Sequence, residues 1–184
     1  MKREESLALL KKHITNQNLI KHSLAVEAAM RALGEYFGED EEEWALCGLL
    51  HDIDYEKTKG NPELHSKVGS EMLKEMDFPE RIYQAVLAHN GIHGFEPETR
   101  MAKALYCVDS LTGLIVASTL VLPSKKIADL KADNVLKRFR EKAFARSANR
   151  EPIKKSQDYL NLSLEELTGI TLKAMQNISD SLGL

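Results

Sequence analysis

Six ionisable residues stand out in a chain of 184 because of where they fall. His22, His65, His89 and Asp109 each occupy a helical phase that the neighbouring residues give to apolar side chains, and His51 and Asp52 are adjacent at the end of an apolar segment. A carboxylate withdrawn from water without a partner is strongly destabilising, so it requires a cation, a hydrogen-bond network or a raised pKa. One shared metal ion answers these demands together. Neutral imidazoles and carboxylates are the ligands of zinc, manganese, iron and similar divalent ions, and adjacent His51 and Asp52 reach one centre from one helix end. His22, His51, Asp52 and Asp109 supply one such set. Asp54, two residues after the doublet, is a candidate to orient an attacking water or a ligand's second ring nitrogen, and His89 is a second candidate for proton handling.

The elements that must hold these residues read as helices. Apolar residues recur at three- and four-residue steps almost throughout and β-branched alternation is scarce, which predicts an all-α bundle of about seven or eight helices. With 43% hydrophobic and 29% charged residues the chain has the composition of a globular protein, and its length suits one unit over 1–184. The chemistry lies in about 18–120, followed by a basic helical segment over 124–184. A helix from about Asn18 to Phe37 carries Leu19, His22, Val26, Ala29 and Leu33 and stops at Gly38. The acidic run Glu39 to Glu43 opens the next helix, which leads to His51. Asn61 before Pro62 predicts a helix with His65, Val68, Met72 and Met76 on one face, and Asp77 with Pro79 a further one with Ile82, Val86 and His89. A central apolar helix spans about Thr99 to Val121 and places Asp109 in phase with Leu105 and Thr112. Ser163 and Glu166 form a capping box ahead of an amphipathic stretch to about Ser181.

Several function classes are excluded at this level. No apolar run approaches the ~18–20 residues that span a bilayer, and the first residues lack a signal-peptide pattern, so the expectation is a cytoplasmic protein without a membrane partner. Cys47 and Cys107 lie far apart in apolar segments and read as reduced core residues. A net charge of −3 argues against a nucleic-acid partner for the whole domain. No G-x-S-x-G elbow or P-loop is present. Charge is nevertheless uneven: 124–155 holds eleven Lys and Arg against four Asp and Glu. Within it Lys142, Arg146 and Arg150 recur every four residues, so a continuing helix would present them on one face as phosphate contacts. Lys57, just after the doublet, is a further phosphate contact of the same kind.

The order His22, His51-Asp52, Asp109, carried by KHSLAVEAAM, GLLHDIDYE, LHSKVGSEML, VLAHN and ALYCVDSLTGL, resembles the HD superfamily of metal-dependent phosphohydrolases. The resemblance runs from about residue 18 to 120 and extends to short bacterial HD hydrolases. It implies a helical bundle in which His22, His51, Asp52 and Asp109 bind a divalent ion (manganese, iron, cobalt, zinc or magnesium). In members with two ions, two further histidines between doublet and final Asp complete the second site, and His65 and His89 stand at those places. The doublet is followed by Ile53-Asp54 rather than Ile-Gly, and His89 by Asn90 rather than a second histidine, so the resemblance does not extend to the cyclic-dinucleotide phosphodiesterases. The implied activity is hydrolysis of a nucleotide or small phosphorylated metabolite by a metal-activated water. A di-iron oxygenase on the same scaffold and a non-catalytic metal-binding or sensing module are the alternatives. The apolar helix faces fit either a monomer core or a homodimer seam.

Overall fold

Side-chain caps fix most of the long helices in a computed structural model that describes residues 2–141, 143–146 and 148–184. After α1 (Arg3–His13), Asn16 Oδ1 accepts from Asn18 N at 2.9 Å and starts α2 (Gln17–Phe37). Asp40 accepts from Glu43 N at 3.1 Å to start α3 (Glu41–Leu50), and the single turn α4 (Tyr55–Thr58) comes next. Then come α5 (Lys67–Glu75) and α6 (Glu80–His89), the latter entered through Pro79. Thr99 Oγ1 accepts from Ala102 N at 3.1 Å and opens α7 (Arg100–Leu120). The chain closes with α8 (Ala132–Arg140), α9 (Arg150–Lys154), α10 (Ser156–Leu160), α11 (Leu164–Gln176) and α12 (Ser179–Leu182). The capping box at α11 forms as its sequence predicts, with Ser163 N donating to Glu166 Oε2 at 2.8 Å and Glu166 N to Ser163 Oγ at 3.2 Å.

The fold is all-α, with no strand among the described residues. Eight of the helices there have nine residues or more; the other four are one-turn pieces too short to leave a periodic signature. Two boundaries differ from the sequence reading. Residues 61–66 form turns, so His65 precedes α5 instead of lying on it. Helix α8 stops at Arg140, and its cap Glu141 is extended (φ −82°, ψ 95°). The predicted continuation that would have aligned Lys142, Arg146 and Arg150 on one face therefore does not occur; Lys142 itself lies outside the described residues.

Helices α2, α3 and α7 form the centre, α6 packs on α7 and α3, and α8 to α11 cover the other side of α7. One buried apolar cluster runs from Leu10 through Leu33, Leu50 and Leu111 to Leu167 and Leu182. Each fully buried side chain of that kind contributes roughly 1.5–3 kcal/mol. Helix α7 is long and apolar enough to cross a membrane, unlike the sequence expectation that no run approaches that length, yet its most apolar window is mostly buried within the fold. Glu56 ties α4 to the start of α2: its carboxylate accepts from Thr15 N at 3.0 Å and Asn16 N at 2.7 Å.

Closest approach falls between α2 and α3. A Cβ on Gly48 would lie 2.7 Å from the carbonyl oxygen of Val26 and 3.0 Å from Glu27 Cα. Backbone cannot yield as a side chain does, so Gly48→Ala is expected to cost about 1–3 kcal/mol and lower Tm by several degrees. An unchanged melting temperature would show that the two helices separate freely. Cys47 and Cys107 are fully buried, and burial raises both thiols, that of Cys107 to about 12. Native protein should therefore leave both unlabelled by a thiol reagent at about pH 8, with two thiols appearing only on denaturation.

Candidate metal centre

Four helices and one turn converge on a single cluster. His51 caps the C-terminus of α3 with Asp52 next to it, and His89 is the last residue of α6. His22 and Asp109 project from the middle of α2 and α7, and His65 comes from the turn before α5. Two helix C-termini thus end at the cluster, where the partial negative charge of their free carbonyls favours a cation.

The Asp52 carboxylate divides the cluster. Its Oδ2 lies 3.4 Å from His51 Nε2 and 3.7 Å from His22 Nε2, and Asp109 Oδ1 lies 2.9 Å from His22 Nε2 and 3.7 Å from His51 Nε2. The other oxygen of Asp52, Oδ1, lies 3.2 Å from His65 Nε2 and 3.5 Å from His89 Nε2. Two groups of donors therefore share one bridging carboxylate. The set His22, His51, Asp109 lies in the first group, and the set His51, Asp52, His89 spans both; each has ligand atoms within 4.8 Å of one another.

Hydrogen bonds at the opposite ring nitrogens settle the tautomers. His51 Nδ1 donates to Gly48 O at 2.8 Å and His89 Nδ1 to Val86 O at 2.6 Å, each the carbonyl three residues back. His65 Nδ1 donates to Asp54 Oδ1 at 3.0 Å. His22 Nδ1 faces Thr112 Oγ1 at 3.4 Å, and that hydroxyl gives its own proton to Asp109 O at 2.8 Å. Every Nδ1 proton is committed to an acceptor, so the four Nε2 atoms are the ones that face inward as donors to an ion. His51 Nε2 is fully buried and makes no hydrogen bond. Such an orphaned nitrogen beside two carboxylates fits a divalent ion and is costly without one.

Charge reinforces the arrangement. Burial opposes ionisation of every group, yet Asp52 and Asp109 hold His51 well above the usual imidazole range. In return the imidazoles hold Asp52 and Asp109 well below the carboxylate range. Burial likewise opposes a charged His65, but Asp52 and Asp54 push it up to about 9.

The cluster thus brings together all six residues singled out as ligands. Asp109 and His22, read from helical phase as core positions, line its rim, with side chains 28% and 24% exposed. Asp54 is fully buried behind His65, where its second oxygen accepts from Ser66 N at 2.9 Å. It takes the place of a group orienting a ligand's second ring nitrogen. A Cβ on Gly69 would lie 3.0 Å from Asp54 Oδ1, so the absence of a side chain there makes room for this carboxylate. The basic candidates are not gathered here. Lys57 is exposed on α4, where with burial and Lys12 it lowers the pKa of His13. Arg146 is exposed in a turn, and Arg150 donates to the carbonyls of Ala145 and Ala148, both at 2.6 Å, and to that of Phe144. Thr112, Ser66 and Asn90 are not singled out by sequence; of these only Thr112, three residues after Asp109 on one helix face, carries a signal.

Comparison with known families gives the same region. The HD domain model matches residues 19–114, a span containing all six ligand candidates. The chain belongs to the HD domain family. This HD domain is 31% identical over 153 residues to the uncharacterized protein MJ0778 of Methanocaldococcus jannaschii, covering 77% of this chain and 86% of that one. It is 30% identical over 138 residues to ribonuclease Y of Lawsonia intracellularis, covering 73% of this chain and 26% of that protein. With ribonuclease Y of a Nitratiruptor species the identity is 32% over 96 residues, or 52% of this chain and 18% of that one. The HD domain chain thus spans about a quarter or less of these ribonuclease Y relatives.

Because His65 holds a proton up to about pH 9 in the metal-free protein, an ion must displace it. With His51 also held above the usual imidazole range, the apparent affinity of the HD domain for manganese should rise with pH between about 7 and 9, with proton release on binding. Equilibrium titrations across that range check this; a flat affinity there would count against both imidazoles as ligands.

Proposed function

We propose that this HD domain is a metal-dependent phosphohydrolase whose substrate is a nucleotide or small phosphorylated metabolite. The observation that carries the reading is the bridging geometry: Asp52 Oδ2 faces His22 and His51 while Oδ1 faces His65 and His89, with all four Nε2 atoms directed inward. His22, His51, Asp52 and Asp109 would hold one divalent ion, and Asp52, His65 and His89 a second. When bound, such an ion polarises a phosphoryl oxygen and makes water acidic enough to attack at neutral pH.

The chain's own groups then have distinct tasks. With an ion on their Nε2 atoms the imidazoles would have no spare proton to exchange, since each Nδ1 proton is held by an acceptor. That weighs against His89 as an acid or base and favours it as a ligand. Asp54 is also committed, to His65 and Ser66. Asp109 is more exposed than Asp52, 28% against 10%, but the imidazoles that hold it well below the carboxylate range make it a weak proton acceptor, so it too reads as a ligand. Lys57 and Arg146, both exposed, stay candidates for phosphate contact only by charge, since neither is gathered at the cluster.

Several relatives bear the name ribonuclease Y, so a phosphodiester deserves testing alongside monoesters. The six candidates also support a second reading, a di-iron oxygenase, because donors face both oxygens of Asp52. Metal content of protein purified without chelators, measured beside phosphate release from mono- and diesters with added manganese, magnesium, cobalt or iron, separates the two. Metal-dependent release supports the hydrolase; two irons per chain with no release from any ester favours the oxygenase. Asp52→Ala should remove the metal and reduce phosphate release by more than about 100-fold, beyond what losing an outer partner costs. Full metal content in that variant would refute the proposal.

A further inference from the structure

His65 differs from the other imidazoles in having no helix beneath it. His51 and His89 each bond back to the carbonyl three residues earlier in their own helix, and His22 stands in the middle of α2. His65 lies in a run of turns, and the next residue, Ser66, has φ 69° and ψ −35°, a conformation strained for a non-glycine residue. Something must hold that bend. Asp54 holds the ring from behind, and Ser66 Oγ donates to Leu87 O at 3.2 Å.

The backbone of His65 is fastened from a third direction. Its carbonyl oxygen accepts from His93 Nε2 at 2.7 Å and from Asn90 Nδ2 at 3.5 Å. A carbonyl can only accept, so His93 is the donor, with its proton on Nε2. Asn90 Oδ1 in turn accepts from Ile92 N at 3.3 Å, which shapes the 3₁₀ turn Gly91–His93. This turn leads directly out of α6, whose last residue is His89. The short segment from Asn90 to His93 therefore ties the backbone of one imidazole ligand to the helix end that carries the other. Both belong to the half of the cluster around Asp52 Oδ1. Among the described residues, His22, His51 and Asp109 take no hydrogen bond from this turn.

We propose that His93, assisted by Asn90, is a positioning residue for His65 and sets the affinity of a second metal site without influencing the first. The inference rests on the reading that Asp52, His65 and His89 hold a second ion. Removing the donor leaves the His65 carbonyl short of its main partner and frees a strained turn to relax, which moves Nε2 away from Asp52 Oδ1. The first site hangs on α2, α3 and α7 and keeps its geometry.

The test is stoichiometry and affinity rather than turnover. Chelator-stripped full-length protein is titrated with manganese by equilibrium dialysis, and bound metal is counted. The wild type should bind two ions per chain. His93→Ala should keep the tighter class within about 2-fold, which also reports an intact fold, and weaken the other by about 10–100-fold, the usual cost of losing an outer partner. His93→Gln retains an N–H donor and should restore the second class to within about 3-fold, while Asn90→Ala, removing the longer bond, should weaken it less than His93→Ala. Two unchanged classes in His93→Ala, equal loss of both, or no rescue by glutamine would overturn the proposal. A wild type that binds one ion would also overturn it, yet leave a one-ion hydrolase standing. Two ions with the expected variant pattern but no phosphate release would uphold it and count against hydrolysis.

Discussion

A carboxylate held among four imidazoles inside an apolar bundle is the constraint on which this structure turns. Asp52 is nearly withdrawn from water, and each of its oxygens faces two ring nitrogens. Ion pairs gain strength in such surroundings, but removing one partner leaves a charge uncompensated at a cost of about 3–5 kcal/mol. The helices are accordingly held to one mutual arrangement. Gly48 allows α3 to approach α2, and its carbonyl also receives the His51 proton, so packing and ligand orientation meet in one residue. A change in the α2–α3 spacing would shift His51, whose ring the Gly48 carbonyl holds.

The two halves of the cluster are built on different principles. Around Asp52 Oδ2, the ligands stand on long helices and are aimed by backbone carbonyls or by Thr112. Around Oδ1, one ligand stands on a turn, and a fully buried carboxylate backs its ring. An imidazole whose second nitrogen donates to a carboxylate is a more basic ligand than one donating to a carbonyl. The more basic imidazole therefore stands on a turn, and the less basic ones on helices.

Helical phase is enough to place His22, His89 and Asp109 near one another, because buried long helices obey a 3.6-residue period whatever their neighbours. It fails at His65, where Asn61-Pro62 is as good a turn as a helix start. The choice between them is made by Asp54, whose carboxylate binds both His65 and Ser66 from eleven and twelve residues away. No local window contains that information. The basic stripe fails for the converse reason: a spacing of four means one face only while the helix continues, and α8 ends at Arg140. Arg150 is engaged by the carbonyls of the very loop that replaces the predicted helix.

The matched HD region ends at residue 114, inside α7, and the last ligand candidate is Asp109. The C-terminal helices beyond α7 nevertheless bear on the site. Helix α7 is apolar on more than one side, and only one side meets α2, α3 and α6; the others are covered by α8 to α11 through Val135, Ile153, Leu160 and Leu167. Without that cover the helix carrying Asp109 would expose a broad apolar surface to water, and its rotation about its own axis would be held from one side only. Asp109 sits at the rim, so a modest rotation is enough to carry its oxygen out of reach of His22. Among the described residues, Lys131, Lys137, Arg140, Lys154 and Lys155 are exposed on or beside the same helices whose apolar sides complete the core. The C-terminal segment's structural part in the centre is therefore independent of whether any of its lysines or arginines ever touches a phosphate.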